Sequence, residues 1–241
     1  MIIEIYGIFD ENVVVLGAKN DRANILYLTP HESKILEHVV DKRRNEYATS
    51  RVLARNALSR FGYFGVEILN RCDRTPIWPE GVRGSISHCD SLSIVAITKR
   101  NVSLGIDVES YRNFSKEIWS TIFLPEEILE IESRVSELEK SKIATLFFSA
   151  KESFYKAQYF WSSEFLDFHS LQITLGSVKK KVANQGSFFC ILQIQTELFK
   201  KKTMFHGKYC FDVFNESEVI TAISIQHMDI VNRKITIKEK V

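Results

Sequence analysis

The sequence predicts an α+β protein, and three observations support this fold class. Short β-branched and aromatic segments open the chain, recur near its middle and fill its last third. Two long stretches with helical spacing of apolar residues separate these groups of strands. The 241 residues are 45% hydrophobic, which is enough for a sizeable core. This order of elements favours α+β, and it neither requires nor excludes a duplicated architecture.

Charge and cysteine content narrow the class of protein. The 32 basic and 30 acidic residues nearly cancel, which argues against a protein that coats nucleic acid by bulk electrostatics. The four cysteines form no C-x-x-C pair, so neither a zinc ribbon nor a disulfide framework is indicated. The chain opens without a basic signal region, and its apolar runs are shorter than the ~20 residues of a membrane span. We therefore expect a soluble cytoplasmic protein without a transmembrane segment.

The first half of the chain predicts strands around one long helix. Residues 1–28 favour short strands separated by polar turns. Thr29-Pro30-His31-Glu32 has capping-box spacing with proline at the first helical position, and predicts a helix that continues to near Gly62. The Pro- and Gly-rich segment 72–88 predicts an extended loop that leads into a strand. Two buried strands are then predicted, at 91–98 and 102–109.

The second half predicts a helical region followed by strands. The helical region covers roughly 114–161, and Ser136 and Glu139 give it a second capping-box spacing. Four segments rich in β-branched and aromatic residues follow, at 165–175, 188–195, 208–214 and 219–226.

Acidic residues at two places are candidates for a metal site. In a strand, Asp107 and Glu109 would share a face because side chains alternate with period two. Glu152 and Lys156 share a helix face at i and i+4. Each pair has an ordinary interpretation, as solvated acids or as a surface ion pair. If the helix packs across the strand, however, three carboxylates would suit Mg²⁺ and Lys156 would point at a phosphate.

Two further segments are candidates for anion binding. Gly84-Ser85-Ile86-Ser87-His88 combines backbone N–H groups, hydroxyls and an imidazole at a strand end. The first long helix carries a stripe at i+4 spacing that consists of Arg43, Tyr47, Arg51 and Arg55. Such a stripe is either a solvated charged face or a set of forked donors for a multiply charged ligand.

Taken together and in order, these segments resemble the Sfp-type 4'-phosphopantetheinyl transferases, particularly the enterobactin synthetase component D branch. The resemblance spans roughly residues 43–157. Its matching segments are 43–46 with Arg51, then 76–81, 84–89, 105–109 and 148–157. The resemblance implies two similar α+β halves related by a pseudo-twofold, 1–104 and 105–241, with a ligand cleft between them.

The resemblance also implies roles for particular residues. It implies a metal site formed by Asp107, Glu109 and Glu152, and catalytic roles for Glu152, Lys156 and His88. It implies a coenzyme A site formed by Arg43, Arg51, Arg74, Ser87, His88 and Lys156. Glu152 would take the proton of the carrier serine, and Lys156 and His88 would contact the diphosphate.

Two positions depart from the family pattern. Relatives have a lysine before the proline of the P-x-W-P segment, whereas this chain has Arg74 two residues before Pro76 in the sequence Asp73-Arg74-Thr75. We expect Arg74 to substitute for that lysine. Phe148 stands where the family has a tryptophan, which should affect packing only.

The implied reaction is magnesium-dependent transfer of 4'-phosphopantetheine from coenzyme A to a serine of an apo carrier protein, with release of adenosine 3',5'-bisphosphate. The implied pathway is siderophore or nonribosomal peptide synthesis, and we expect a monomer that does not bind nucleic acid. One alternative is a magnesium-dependent phosphohydrolase or nuclease, which gives the G-S-I-S-H strand no role. The other is a non-catalytic carrier-protein-binding module, in which the acids are structural.

Overall fold

The computed structural model of the chain describes residues 1–10, 12–37, 39–176 and 184–226. Within them, the strands are β1 (Ile2–Glu4), β2 (Val14–Lys19), β3 (Arg83–His88), β4 (Leu92–Thr98), β5 (Val102–Ser110), β6 (Leu171–Leu175), β7 (Gln185–Leu192), β8 (Met204–Phe211) and β9 (Glu218–Gln226). The α-helices are α1 (Pro30–Lys34), α2 (Asp41–Ser59), α3 (Lys116–Ile122), α4 (Pro125–Glu132) and α5 (Glu137–Ser162). The predicted α+β class is confirmed.

The strands form two antiparallel sheets whose chain paths agree in part. The first sheet has the order β1-β2-β4-β3, and the second has the order β5-β9-β8-β7-β6. In the first half β2 precedes the long helix α2, and β4 returns to pair with β2. In the second half β5 precedes the long helix α5, and β9 returns to pair with β5. This shared path supports two similar halves. The proposed division after residue 104 falls inside β5 and stays a prediction.

The helix predicted from Thr29 to near Gly62 is in fact two helices, so that prediction was wrong about continuity. The capping box of Thr29 and Glu32 and the proline at N1 are present as expected. The helix nevertheless ends at Lys34, and α2 begins after Val40, whose backbone is extended. Val39 and Val40 are β-branched and have low helix propensity, so little free energy is lost when the helix ends before them. Leu36 is buried in the turn that follows the helix, which stabilises this ending.

The helical region predicted at 114–161 is confirmed as three helices, α3, α4 and α5, which are separated by two breaks that the sequence explains. Leu124 is extended and Pro125 is the first residue of α4, because a residue before proline is disfavoured in the α region. The longest helix, α5, begins with the Ser136–Glu139 capping box and ends at Ser163 in the left-handed conformation. Among the described residues no helix is both long and apolar enough to cross a bilayer.

Three buried clusters hold the layers together. One lies between α2 and the first sheet, one lies between α5 and the second sheet, and the third contains residues of both sheets. Ile106 and Val108 of β5 belong to the third cluster and are fully buried. Because strand side chains alternate, the intervening residues Gly105, Asp107 and Glu109 face the other side of β5. That side carries α5.

Candidate active site between the two sheets

Gly105 allows α5 to lie directly against β5. A Cβ atom at Gly105 would be 1.7 Å from the carbonyl oxygen of Ser153 and 3.0 Å from the backbone nitrogen of Ala157. No other residue type fits between strand and helix at this distance. Glu152 and Lys156 lie next to this contact on α5. The helix therefore packs across the strand that carries Asp107 and Glu109, which is the arrangement that a shared metal site requires.

Asp107 is the centre of a hydrogen-bonded group that joins the two halves. Its Oδ1 atom accepts from Ser87 Oγ of β3 at 2.6 Å and from Lys156 Nζ of α5 at 2.6 Å. Lys156 Nζ also donates to Ser87 Oγ at 2.9 Å and to the carbonyl of Ile106 at 3.2 Å. A second serine of β3, Ser85, accepts from the backbone N–H of Ile106. These hydrogen bonds hold β3 against β5, so that residues 84–88 lie next to Asp107.

The two other acids have raised pKa values. Burial, followed by the charge of Asp107, raises the pKa of Glu109 to about 8. The same two causes raise the pKa of Glu152 above its ordinary value. Arg112 forms an ion pair with Glu109 across 2.5 Å and partly offsets this repulsion. The carboxylates of Asp107, Glu109 and Glu152 therefore repel one another where little water can screen them. A cation bound between them would relieve this repulsion.

The donor set fits Mg²⁺ by its chemistry, although the described residues hold no three acidic, histidine or cysteine side chains already arranged around a metal ion. Asp107 Oδ2 is buried and accepts no hydrogen bond, so one carboxylate oxygen is free for a further partner. Hard carboxylate oxygens are the ligands that Mg²⁺ prefers, and the ion keeps waters or phosphate oxygens at its other positions. The assignment of Asp107, Glu109 and Glu152 to a metal stays a prediction.

His88 lies at the end of β3 and is held between two charged residues of α2. Arg43 donates to His88 Nε2, and the carboxylate of Glu46 lies 3.2 Å from His88 Nδ1. Burial, then the charges of Arg43 and Lys156, lower the pKa of His88 to about 4. His88 is therefore neutral at physiological pH in this arrangement.

The basic stripe of α2 divides into residues with different surroundings. Arg43 is half exposed beside His88, whereas Arg51 is only 4% exposed and donates to the carbonyl of Ile68 and to Asn70. Arg55 binds the fully buried carboxylate of Glu32. The stripe is thus neither a solvated face nor a uniform anion site. A contact of Arg51 with a ligand phosphate stays a prediction.

Lys151, which directly precedes Glu152 on α5, has a structural role. It is 1% exposed, and its ammonium donates to Glu127 at 2.7 Å and to the carbonyls of Ile122 and Phe168. Glu127 is equally buried and also accepts from two backbone N–H groups. This saturated ion pair fixes α5 against α4. It therefore fixes the face of α5 that carries Glu152 and Lys156.

A cleft of about 660 Å³ begins at Lys156 and runs between the halves. Its walls include Trp78 and Ser85 from the first half, and Tyr155, Tyr159 and Phe160 of α5 from the second. Basic side chains border it at four positions, which are Arg71, Arg74, Arg83 and Lys156. Tyr159 donates to Asp73 at 3.4 Å, and Arg83 stacks on Phe160, so both contacts connect the halves across the cleft. The volume, the aromatic walls and the basic border suit a large anionic ligand.

Arg74 is exposed at the tip of the 71–75 turn, with a positive φ of 70°. Asp73 stabilises this turn by accepting from the backbone N–H and hydroxyl of Thr75. Arg74 therefore borders the cleft, as its expected role requires. Contact with a ligand phosphate is not tested by this placement and stays a prediction.

Comparison with known proteins gives the same family for both halves. Residues 31–98 match the model of the 4'-phosphopantetheinyl transferase N-terminal domain, and residues 103–214 match that of the 4'-phosphopantetheinyl transferase superfamily. Together these models cover most of the chain. The chain belongs to the 4'-phosphopantetheinyl transferase superfamily.

Individual members of the superfamily align over much of the chain. 4'-Phosphopantetheinyl transferase Svp of Streptomyces mobaraensis is 29% identical over 86% of this chain and 82% of its own length. 4'-Phosphopantetheinyl transferase Npt of Nocardia iowensis is 33% identical over 60% of this chain and 65% of its own. Enterobactin synthase component D of Escherichia coli is 35% identical over 56% of this chain and 63% of its own length. The chain thus spans just under two thirds of the last two relatives.

For this superfamily member, the structure brings together most of the residues that the sequence predicts. Ser87, Asp107, Glu152 and Lys156 meet where β3, β5 and α5 converge, and His88 lies next to them. The sequence-based reasoning missed Glu46, Arg112 and the cleft residues Arg83 and Tyr159. Only Glu46 had a signal, since it lies three residues after Arg43 on the same helix. Arg112 follows a strand, in which residues three apart do not share a face.

Proposed function

We propose that this chain transfers 4'-phosphopantetheine from coenzyme A to a serine of an apo carrier protein and releases adenosine 3',5'-bisphosphate. The observation that carries the proposal is the meeting of Asp107, Ser87 and Lys156 at the edge of the cleft, with Glu152 on the same helix. The family match of both halves supports the same reaction. A nuclease or hydrolase would leave the long aromatic cleft without a role.

In the proposed complex, coenzyme A lies along the cleft with its diphosphate near Lys156 and His88. Lys156 Nζ donates three hydrogen bonds in the structure, to Ser87, Asp107 and the carbonyl of Ile106. It is therefore pre-oriented, and a phosphate oxygen that replaces one of these acceptors gains a charge-assisted bond. Arg74, at the cleft border, and Arg43, beside His88, are the proposed donors to the other phosphates.

Glu152 is the proposed base for the carrier serine. Its raised pKa, caused by burial and by Asp107, makes it a better proton acceptor than a solvated glutamate. It lies one helical turn from Lys156, so the serine oxygen and the phosphate would meet between the two side chains. Proton transfer of this kind contributes typically about 100- to 10,000-fold to the rate.

Asp107, Glu109 and Glu152 are the residues that would hold Mg²⁺. When bound, the ion would neutralise charge that develops on the phosphate oxygens. Asp107 would offer its orphaned Oδ2 atom, and its Oδ1 atom would keep Ser87 and Lys156 in place.

The setting of the reaction is part of the proposal. The similarity to an enterobactin synthase component favours a carrier in siderophore or nonribosomal peptide synthesis. All four cysteines are free thiols, which supports the cytoplasm as the compartment. We infer a monomer, because the two halves of one chain form both walls of the cleft.

Incubation with coenzyme A, Mg²⁺ and a panel of apo carrier proteins, followed by mass spectrometry of the carriers, tests the proposal. The expected result is a gain of one phosphopantetheine group by at least one carrier, and no gain by the same carrier with its serine replaced by alanine. Hydrolysis of coenzyme A without a mass gain would favour the hydrolase. Co-elution with a carrier whose mass stays unchanged would favour the binding module.

A further inference from the structure

Glu46 is a buried acid that the proposed mechanism does not use. It lies in the second turn of α2 and is only 5% exposed. Its backbone carbonyl accepts from Ser50 Oγ at 2.7 Å and from Ser93 Oγ at 3.2 Å. Ser93 of β4 is the cross-strand partner of His88 in β3. The backbone of Glu46 is therefore anchored to the strand that neighbours His88.

The carboxylate of Glu46 contacts two residues of the proposed anion site. Its Oε2 atom lies 3.2 Å from His88 Nδ1 and 3.2 Å from Arg43 Nη1. Arg43 in turn donates to His88 Nε2. The three side chains form a closed ring of contacts, and Glu46 is its only buried member.

This ring determines how the imidazole is oriented. A carboxylate accepts hydrogen bonds and a guanidinium donates them, so the ring hydrogen of a neutral His88 lies on Nδ1 and the lone pair on Nε2. A half-turn of the ring would exchange Nδ1 with Cδ2 and Nε2 with Cε1, so that carbon atoms would face Glu46 and Arg43 and both contacts would be lost. Arg43 is half exposed, and its contact with Glu46 restricts a side chain that would otherwise sample many rotamers.

We propose that Glu46 is a positioning residue, which fixes the ring of His88 and the guanidinium of Arg43 so that both face an incoming diphosphate. The inference rests on the proposed function, in which these two side chains bind coenzyme A. Glu46 acts through them and does not touch the reacting atoms. Its removal should therefore weaken binding of coenzyme A more than it slows transfer to the serine.

The first test is the kinetics of Glu46→Gln, a substitution of nearly equal volume. We expect KM for coenzyme A to rise about tenfold while kcat stays within about threefold, because His88 and Arg43 are present but less constrained. Asp41→Asn is the matched control, since it removes a negative charge from the same end of α2 without contact to His88. An equal rise in KM for both variants would reduce Glu46 to a long-range charge effect and overturn the proposal.

A second test asks whether Glu46 acts through His88. In a His88→Ala background, Glu46→Gln should raise KM by less than about threefold, since residues that act as one unit are not additive. If KM of the double variant instead rises by the product of the two single-variant increases, Glu46 acts independently of His88. The thermal midpoint of each variant separates this outcome from a general loss of stability.

Nitrogen NMR of histidine provides a readout that does not depend on activity. Wild-type His88 should show the tautomer with hydrogen on Nδ1, and Glu46→Ala should populate both tautomers. If the wild type modifies no carrier but the tautomer still depends on Glu46, the proposed function fails and the positioning contact stands. If Glu46→Ala changes neither the tautomer nor KM, Glu46 has no positioning role.

Discussion

Gly105→Ala should separate the positioning of the site from the stability of the fold. The new Cβ would lie 1.7 Å from Ser153 O, whereas ordinary contact begins at 3.4 Å, so strand and helix must separate by roughly 1.7 Å. Neither atom belongs to a side chain that can change rotamer. Overpacking of this kind costs about 1–3 kcal/mol, and we expect the upper end. For a chain of this length that corresponds to a fall of about 6–12 °C in the thermal midpoint.

The same displacement acts on catalysis, because α5 carries both Glu152 and Lys156. Lys156 Nζ is 2.6 Å from Asp107, so a movement of that size disrupts this contact and the placement of Glu152 with it. A misplacement of about 1 Å can reduce a rate about 100-fold. We therefore expect kcat/KM for coenzyme A to fall at least about 100-fold at a temperature where the variant is fully folded.

Gly207→Ala is the matched control for this experiment. Gly207 is also a buried glycine of the second sheet, and its Cβ would lie 2.2 Å from the ring of Phe188. It belongs to β8, which is not a neighbour of β5, the strand that carries Asp107 and Glu109. This variant should lose stability but keep transfer within about threefold in the folded state. Circular dichroism and the carrier mass assay measure both properties on the same samples. Transfer by Gly105→Ala within about threefold of the wild type would refute the reasoning that this close approach positions the site.

Three further predictions concern single side chains of the site. Glu152→Gln should reduce transfer at least about 100-fold with an unchanged thermal midpoint, since an amide cannot take the serine proton; near-normal turnover would leave the mechanism without its base. Arg74→Ala should raise KM for coenzyme A about tenfold with a smaller effect on kcat, and Arg74→Lys should recover part of the loss; wild-type behaviour at limiting coenzyme A would show that Arg74 is an ordinary surface charge. The pKa of Glu109 in the folded protein, about 8, lies above its ordinary value. Between pH 6.5 and 8 the Glu109 side chain therefore keeps its proton in the metal-free folded protein but has lost it in the unfolded chain. The free energy of unfolding should consequently fall as pH rises through this range. Thermal melts should show this fall in the wild type and a smaller one in Glu109→Gln; identical slopes would contradict the raised pKa.

Local patterns were sufficient for most of the secondary structure. The capping boxes at Thr29 and Ser136 are present as predicted, because a cap depends only on residues three positions apart. The shared face of Asp107 and Glu109 follows from strand alternation and is confirmed. The helix end at Lys34 was missed, because the capping box predicts where a helix begins and does not predict where it ends.

The ordered motifs of the sequence also determined the family, since they lie in both halves and both halves match it. They did not determine which charged residues are available to a ligand. Arg43, Arg51 and Arg55 have the same spacing, yet one is half exposed and the other two bind Ile68 and Glu32. Whether each guanidinium is exposed or buried depends on a partner that is distant in the sequence, namely His88, Ile68 or Glu32.

The sequence by itself therefore determined most of the elements, the family and the residue types of the site, because these follow from short-range spacing. Only the tertiary structure decided that α5 reaches β5 over Gly105, that Ser87 and Lys156 meet at Asp107, and which charges are buried. These contacts join residues 20 to 69 positions apart. Their geometry is set by the packing of whole helices on sheets, and no local pattern contains it.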